Sequence, residues 1–355
     1  MKVHAHATPS PPLHHALQRA LPYSINLVYR TQHPNRTPDA YILATFPPTA
    51  ALDQVPECWA AAYFDRSMRP ETELWIFAAF EVPTHSPTPY PDESLSSKLD
   101  ICPTCKRAIH SLLAHMATLP VPPLHPSNLP AIDQAKEHEK KYPELGPNVR
   151  FPLAPGSYVR HLLLPGVVTL GAVHHKIVDV CAEAGLVRDD FPGREAKLNK
   201  FFFKVSDLPQ TKELPDGLRW GEMREQDLAI VQARTSIPRT TRTLMTLKSV
   251  GVFEEKSDRA VAWTFLGLDG SLTTLHTEAE YRGKGIAKAV AAKIFREHAP
   301  ELAVDGEGNA WAHADVYEGN VQSESVCRSL GGHPSVRIFW IRIDLTGADS
   351  LVSGA

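Results

Sequence analysis

Tyr281-Arg282-Gly283-Lys284-Gly285-Ile286-Ala287 lies between a strand-like segment, Leu272 to Thr277, and a strongly helical one, Lys284 to His298. A basic turn with paired glycines that opens a helix is suited to hold an anion. The first N–H groups of a helix lack intrahelical acceptors, and the positive end of its dipole points the same way. Glycine at 283 and 285 lets the backbone approach a bulky diphosphate that a Cβ would hold off. Downstream, Ile286, Val290 and Ile294 recur at helical spacing, with small Ala287, Ala291 and Ala292 beside them. Ala299-Pro300 predicts the end of this helix, because proline cannot continue it. A short alternating segment, Trp311 to Val316, comes next, then Glu318-Gly319-Asn320 and a second helix, Val321 to Leu330, stopped by Gly331-Gly332.

The order strand, Arg-x-x-Gly-x-Ala, helix resembles the coenzyme A pyrophosphate loop of the GCN5-related N-acetyltransferases (GNAT). Asn320, Ser323, Val326, Leu330 and Gly331 are similar to the family's Asn-x-x-Ser/Ala pattern leading to a Leu-Gly pair. The resemblance places that asparagine and the first turn of its helix against the coenzyme. By themselves Asn320 is also a good N-cap and Gly331 a good C-cap. Within the superfamily the chain looks most like glycine N-acyltransferase-like proteins. Val261-Ala262-Trp263, Asp269-Gly270 and Ala279-Glu280-Tyr281-Arg282 resemble their core, and Leu21-Pro22-Tyr23-Ser24 to Tyr29, with His33 to Asn35, their opening segment.

Whole-chain properties bound the alternatives. At 355 residues and 39.2 kDa the chain is long for one core, so two domains are expected. A hydrophobic content of 43% with 22% charged residues describes an ordinary globular protein. A net charge of −3 argues against a general nucleic-acid surface, which needs a basic field. No apolar run reaches the ~18 residues of a membrane helix; the most apolar stretch, Leu162 to Val173, is interrupted by Pro165 and glycines. Met1 to His15 is rich in His and Pro and has no signal-peptide core. The 5 cysteines (Cys58, Cys102, Cys105, Cys181, Cys327) are odd in number and scattered, which disfavours a disulfide scaffold and fits a reducing cytosol.

Prolines, 31 in all, are densest in Pro83 to Pro91, Leu119 to Pro130 and Pro143 to Pro155, and mark connections. Between them the patterns predict helices at His14 to Leu21, Lys98 to Leu119 (Ile101, Cys105, Ile109, Leu112 and Met116 on one face) and Gly171 to Ala184. Strands are predicted at Ser24 to Thr31, Leu74 to Glu81 and Leu198 to Val205. From Leu218 the order becomes strand (Leu218 to Met223), helices (Glu225 to Arg234, Pro238 to Lys248), and strands (Val250 to Glu254, Ala260 to Leu266, Ser271 to Thr277). The loop helix, a strand, a helix and a final strand, Val336 to Leu345, follow. This order, β-α-α-β-β-β-α-β-α-β, is similar to that of the acetyltransferase fold, with one closing strand where that family has room for a two-strand hairpin. The resemblance implies an α+β GNAT fold: a mixed, mostly antiparallel central sheet with splayed central strands flanked by helices. It implies two tandem GNAT-like domains, a degenerate one over 1–212 without its own loop and a catalytic one over 213–346, with 347–355 as a tail.

Acyl transfer from a thioester to an amine requires that the donor be held, its carbonyl polarised, the amine kept neutral, and the thiolate protonated or tolerated. Holding falls to Arg282, Gly283, Lys284, Gly285, Ile286 and Ala287, with charge-assisted contact from Arg282. The resemblance implies that a backbone N–H at Leu275, His276 or Thr277 polarises the carbonyl, and that this strand pairs with pantetheine. It also implies contacts from Asn320 and Ser323. In the glycine acyltransferase likeness a glutamate lies eleven residues before the position of Arg282; here Ser271 stands there and cannot act as a base. Candidate bases nearby are His276, Glu278 and Asp269. His276 has the right unperturbed pKa, ~6.5, but strand alternation turns it to the opposite sheet face unless a bulge re-aims it. Glu278 also suits a role in the turn. Where the family often places a tyrosine seven residues after the asparagine, this chain has Cys327, a candidate acid or an inert buried thiol.

Cys102-x-x-Cys105 followed by His110 and His115 has the ligand spacing of a small zinc knuckle. The same residues form an amphipathic helix with Pro103 in its first turn. On it the two histidines project ~140° apart, so no metal site is expected from them. The combined expectation is a cytoplasmic, acyl-CoA-dependent N-acyltransferase that moves an acetyl or short acyl group to a primary amine of a small molecule or amino acid. Direct attack is expected, since no nucleophile with a paired base is evident. Acetylation of a protein lysine or N-terminus, and a non-catalytic coenzyme A-binding or scaffolding role, are the alternatives. Partners are the coenzyme A thioester and the amine acceptor, without nucleic acid or membrane.

Overall fold

The computed structural model describes residues 1–34, 36–83, 101–152, 154–190, 193–235 and 239–352. Along the chain the strands are β1 (His4–His6), β2 (Tyr41–Ala44), β3 (Ala60–Phe64), β4 (Leu74–Ala78), β5 (Val167–His174), β6 (Val187–Arg188) and β7 (Leu198–Lys204). They continue as β8 (Leu218–Gly221), β9 (Ser249–Glu254), β10 (Ala260–Leu266), β11 (Leu272–Thr277), β12 (Trp311–Tyr317) and β13 (Pro334–Asp344). The α-helices are α1 (Pro11–Arg19), α2 (Ile25–Gln32), α3 (Pro103–Ala117), α4 (Leu129–Lys141), α5 (His175–Glu183), α6 (Leu228–Arg234), α7 (Thr241–Leu244), α8 (Ile286–Leu302) and α9 (Val321–Ser329). Packing divides the chain into two units. One takes Met1–Tyr23, Arg36–Leu198 and Val336–Ala355; the other takes Ser24–Asn35 and Asn199–Ser335.

In the first unit the strands follow the order β1-β2-β3-β4-β5-β13, with β6 also pairing β13. β4 and β5 are parallel, Leu74 opposite Leu170, and the other pairs are antiparallel. Alternate residues Ala60, Ala62 and Phe64 of β3 and Leu74, Ile76 and Ala78 of β4 share a core with Ile109, Leu112 and Met116 of α3 and Ile177, Val180 and Cys181 of α5. The 3–4 spacing that predicted α3 is therefore the spacing that buries it. Cys102 caps this helix and Pro103 occupies its first position, where the missing N–H costs nothing.

The second unit contains an antiparallel meander in the order β8-β9-β10-β11, and β7 lies next to β12. β11 and β12 meet at a single parallel bridge, Ser271 to His313, at the start of β11. Beyond it the described residues form no ladder between them, and Leu272 to His276 stay half-buried although they belong to a strand. This is the splay expected between the central strands. From β8 to β13 the order of strands and α-helices is the expected one, and the fold is α+β with a mixed sheet flanked by helices.

Several local expectations are corrected. Ser24 to Thr31, expected as a strand, is the helix α2. Ile25, Leu27, Val28, Tyr29, Arg30 and Thr31 are all buried, and the β-branched and aromatic residues among them suit a strand equally well. Gly171 to Ala184, expected as one helix, is the end of β5 followed by α5. Val167 to Val173 is β-branched-rich and pairs with β13, Phe339 opposite Val173 and Arg342 opposite Thr169. α1 begins three residues early at Pro11, capped by Ser10. α4 arises between two proline-dense stretches, with Pro130 inside its first turn. α8 runs through Pro300 to Leu302, and a proline this close to the end breaks only a last-turn bond. The helix expected over 238–248 is the single turn α7, and the last three residues expected in β4 form a 3-10 turn. Residues 84–91, 98–100 and 238, on which other expectations fall, lie outside the described residues.

Candidate active site

The site grows from the second unit's β11, the turn after it and α8. Gly283 and Gly285 both have positive φ, 76° and 81°, a backbone state that L side chains rarely adopt. A Cβ on either would meet nothing within 4 Å, so the space above the turn is open. Gly285 is the N-cap of α8, and no side chain caps this helix end. Its first N–H groups thus face the open turn with the positive end of a 17-residue helix behind them. Arg282 to Gly285 are exposed. Arg282 is fixed by its Nε donating to the Thr277 carbonyl at 3.0 Å, and the Lys284 ammonium lies over the Tyr281 ring, 5.1 Å from its centre. Tyr281 in turn hydrogen-bonds the Glu254 carboxylate through its hydroxyl. The loop is held from below and open above.

β11 carries a bulge. In register with β10, Trp263 faces His276 and Phe265 faces Thr273, so Thr264 opposes two residues, Thr274 and Leu275. Thr274 has φ 52°, and the Thr264 hydroxyl donates to the Thr273 carbonyl at 3.2 Å. A bulge re-aims the side chains that follow it, and His276 follows this one. The His276 ring stacks on buried Trp263, with centroids 4.8 Å apart and planes at 26°. Burial lowers its pKa below the ordinary 6.5; Glu278 opposes the shift and Arg282 and Arg234 add to it. The imidazole is therefore neutral near pH 7.

Glu278, expected also to serve the turn, makes no capping bond there. Its Oε1 accepts from Arg234 Nε of α6 at 3.1 Å and stands 3.7 Å from His276 Nε2, too far for a hydrogen bond. His276 Nε2 and the Thr277 hydroxyl are buried polar atoms without a hydrogen-bond partner. Such orphaned groups beside an open helix end fit a polar ligand laid along β11, as an acyl-coenzyme A thioester would be.

Other expected residues play different parts. Asn320 Oδ1 accepts from the Ser323 N–H at 3.1 Å, so its oxygen serves as the N-cap of α9. Cys327 is buried, and burial, with Asp315 and Glu324 nearby, pushes its thiol up to about 12. Giving a proton to a thiolate of ordinary acidity, ~8.5, would then cost about 4–5 kcal/mol, which makes Cys327 a poor acid. Asp269 is no free base either. Although burial raises its pKa, His313, the Ser271 hydroxyl and Lys200 leave it lowered overall.

A buried network invisible in the sequence surrounds Asp269. Ser271 Oγ donates to Asp269 Oδ1 at 2.7 Å, and Asn26 Nδ2 of α2 donates to Oδ2 at 2.9 Å. Lys200 of β7 donates to Asn26 Oδ1 at 3.0 Å, to Asp315 Oδ1 at 2.7 Å and to His313 Nδ1 at 3.1 Å. His313 Nε2 then donates to the Asp269 carbonyl at 3.0 Å. The network fixes the junction where β11 and β12 part. Most of its members lie far apart in sequence, and only the Asp269–Ser271 and His313–Asp315 pairs are local.

In the first unit the helix α3 carries Cys102, Cys105, His110 and His115. The histidines are not drawn into a metal cluster among the described residues, but Cys58 joins the two cysteines.

The model for the acyl-CoA N-acyltransferase verG N-terminal domain matches residues 1–201, and that for FR47-like protein matches residues 249–341. No curated protein matches the sequence. Among solved structures, a Drosophila protein is similar at 12% identity over 86% of this chain and 79% of its own, with a TM-score of 0.46. A GCN5-related N-acetyltransferase from Sphaerobacter thermophilus matches at 11% identity, covering 97% and 95%, TM-score 0.42. A tandem GNAT protein from the clavulanic acid biosynthesis pathway matches at 11%, covering 96% and 97%, TM-score 0.43. Since the first model spans more than half of the 355 residues, the chain belongs to the verG acyl-CoA N-acyltransferase family and is a GNAT-type acyltransferase.

Proposed function

We propose that the protein transfers an acetyl or short acyl group from coenzyme A to a primary amine on a small molecule or amino acid by direct attack. The observation that carries this reading is the uncapped N-terminus of α8 behind the open glycine turn, beside the half-buried edge of β11. When bound, the thioester supplies an activated acyl group and a leaving thiolate. The amides of residues 285–287 would hold the diphosphate, with Arg282 and Lys284 adding charge. The backbone at Leu275 to Thr277 would orient the pantetheine arm and place an N–H donor at the carbonyl oxygen. His276, kept neutral by burial, would take the proton of the incoming amine. Glu278, held by Arg234, would balance the imidazolium that results.

A thermal-shift titration with acetyl-coenzyme A, longer acyl-coenzyme A and free coenzyme A tests the reading. Ligand at 100 times its dissociation constant should stabilise the native chain by ~2.7 kcal/mol. Gly285→Val should abolish the shift, because a branched residue resists positive φ and fills the space for the diphosphate. A full shift in this variant would overturn the proposed binding mode.

A further inference from the structure

The first unit holds a cluster of three thiols that the acyltransferase reading does not use. Cys58 lies just before β3; Cys102 and Cys105 belong to the first turn of α3. The three sulfurs lie within 4.8 Å of one another, and Cys58 Sγ is 3.4 Å from Cys102 Sγ. We propose that Cys58, Cys102 and Cys105 form a binding site for a thiophilic d10 cation, zinc(II) or copper(I).

Three observations carry the assignment. The spacing is right: tetrahedral zinc with Zn–S bonds of ~2.3 Å sets its sulfurs about 3.8 Å apart, so side-chain rotations that change the sulfur separations by no more than about 1 Å seat all three on one ion. The donor set is all sulfur, which selects soft cations over magnesium or calcium. The charge is supported too. Cys102 is the N-cap of the 15-residue α3, and its sulfur accepts from the Cys105 N–H at 3.3 Å, so the positive helix end faces the thiolates. Binding releases each thiol proton to solvent as its sulfur coordinates the metal. Cys105 is buried while Cys102 is exposed, so the ion sits at the surface with one position open to water. Sequence spacing suggested His110 and His115 as partners; the third ligand is instead Cys58, brought in by the packing of α3 on β3.

The full chain, kept reduced, is titrated with zinc(II) and separately with copper(I), and cysteine alkylation is mapped by peptide mass. One equivalent of either cation should slow alkylation of Cys58 and Cys102 at least tenfold, and a chelator should restore it. In Cys58→Ser the protection of Cys102 should be lost. If neither cation slows alkylation, or if Cys58→Ser retains its metal with Cys102 protected, the site does not exist. A chain that loses two mass units and keeps no metal has instead closed a Cys58–Cys102 disulfide, which also overturns the proposal. Because protection is read on the unaltered chain, the test stands even if a variant fails to fold.

Discussion

At the scale of single residues, the proposed chemistry rests on His276 and not on Cys327. The sequence placed His276 on β11 but left its direction to a bulge, which no local pattern announces because it depends on how β10 and β11 are registered. The proton inventory gives the sign of the pH dependence. Burial lowers the folded-state pKa of His276, so the neutral form persists below pH 6.5 and is lost only as pH falls through the lowered value. The rate should therefore fall on an acid limb whose midpoint lies below 6.5. His276→Gln should remove that limb and reduce kcat by about 100-fold or more, with the KM for acyl-coenzyme A little changed. An unchanged pH profile in the variant would remove His276 from the mechanism. Cys327→Ala, by contrast, should leave kcat within about twofold, since a thiol near 12 donates no proton at neutral pH. A large loss of kcat at constant KM would restore Cys327 as the acid.

At the scale of elements, the loop and the order from β8 to β13 were legible because they are written locally. Glycines sit where φ is positive, apolar residues recur at helical or alternating spacing, and turns fall between them. α2 was not legible, because its β-branched and aromatic residues suit a strand equally well, and its partners come from remote strands. The Asn26–Lys200–Asp269–His313–Asp315 network was missed for the second of these reasons, although it determines where β11 and β12 separate. Lys200 and Asp315 are both buried, and their energetic logic is that of a paired interior charge. Burial raises the Asp315 pKa, but Lys200 and His313 outweigh it and hold the carboxyl at about 2. This stability is present above the ordinary aspartate pKa near 4 and disappears as pH falls through the folded value. Lys200→Met should cost about 3–5 kcal/mol by stranding the carboxylate. Urea denaturation at pH 7 should show the loss, and Lys200→Met with Asp315→Leu should recover part of it. A cost below ~1 kcal/mol in the single variant would mean that water already reaches Asp315.

At the scale of the molecule, the length of the chain and the order of its elements suggest two domains cut along its length, near residue 212. Packing does not follow that line. The unit that contains the glycine turn takes Ser24–Asn35 and Asn199–Ser335. Within it, Tyr29 of α2 packs so closely over Gly270 that a Cβ there would lie 2.3 Å from the ring. Asn26 and Lys200 likewise complete the hydrogen bonds of Asp269, His313 and Asp315. A chain begun at residue 213 would lack α2 and β7, and so would leave a buried carboxylate without its ammonium and uncover the pocket filled by Tyr29. Each defect costs several kcal/mol, against a total stability of about 5–15 kcal/mol for a domain. Residues 213–355 expressed alone should therefore show no cooperative thermal transition by circular dichroism and no shift with acetyl-coenzyme A, whereas the full chain should show both. A cooperative transition with a full coenzyme shift in the short chain would mean that α2 and β7 are dispensable. In that case the buried network would be a consequence of the fold and not a condition for it.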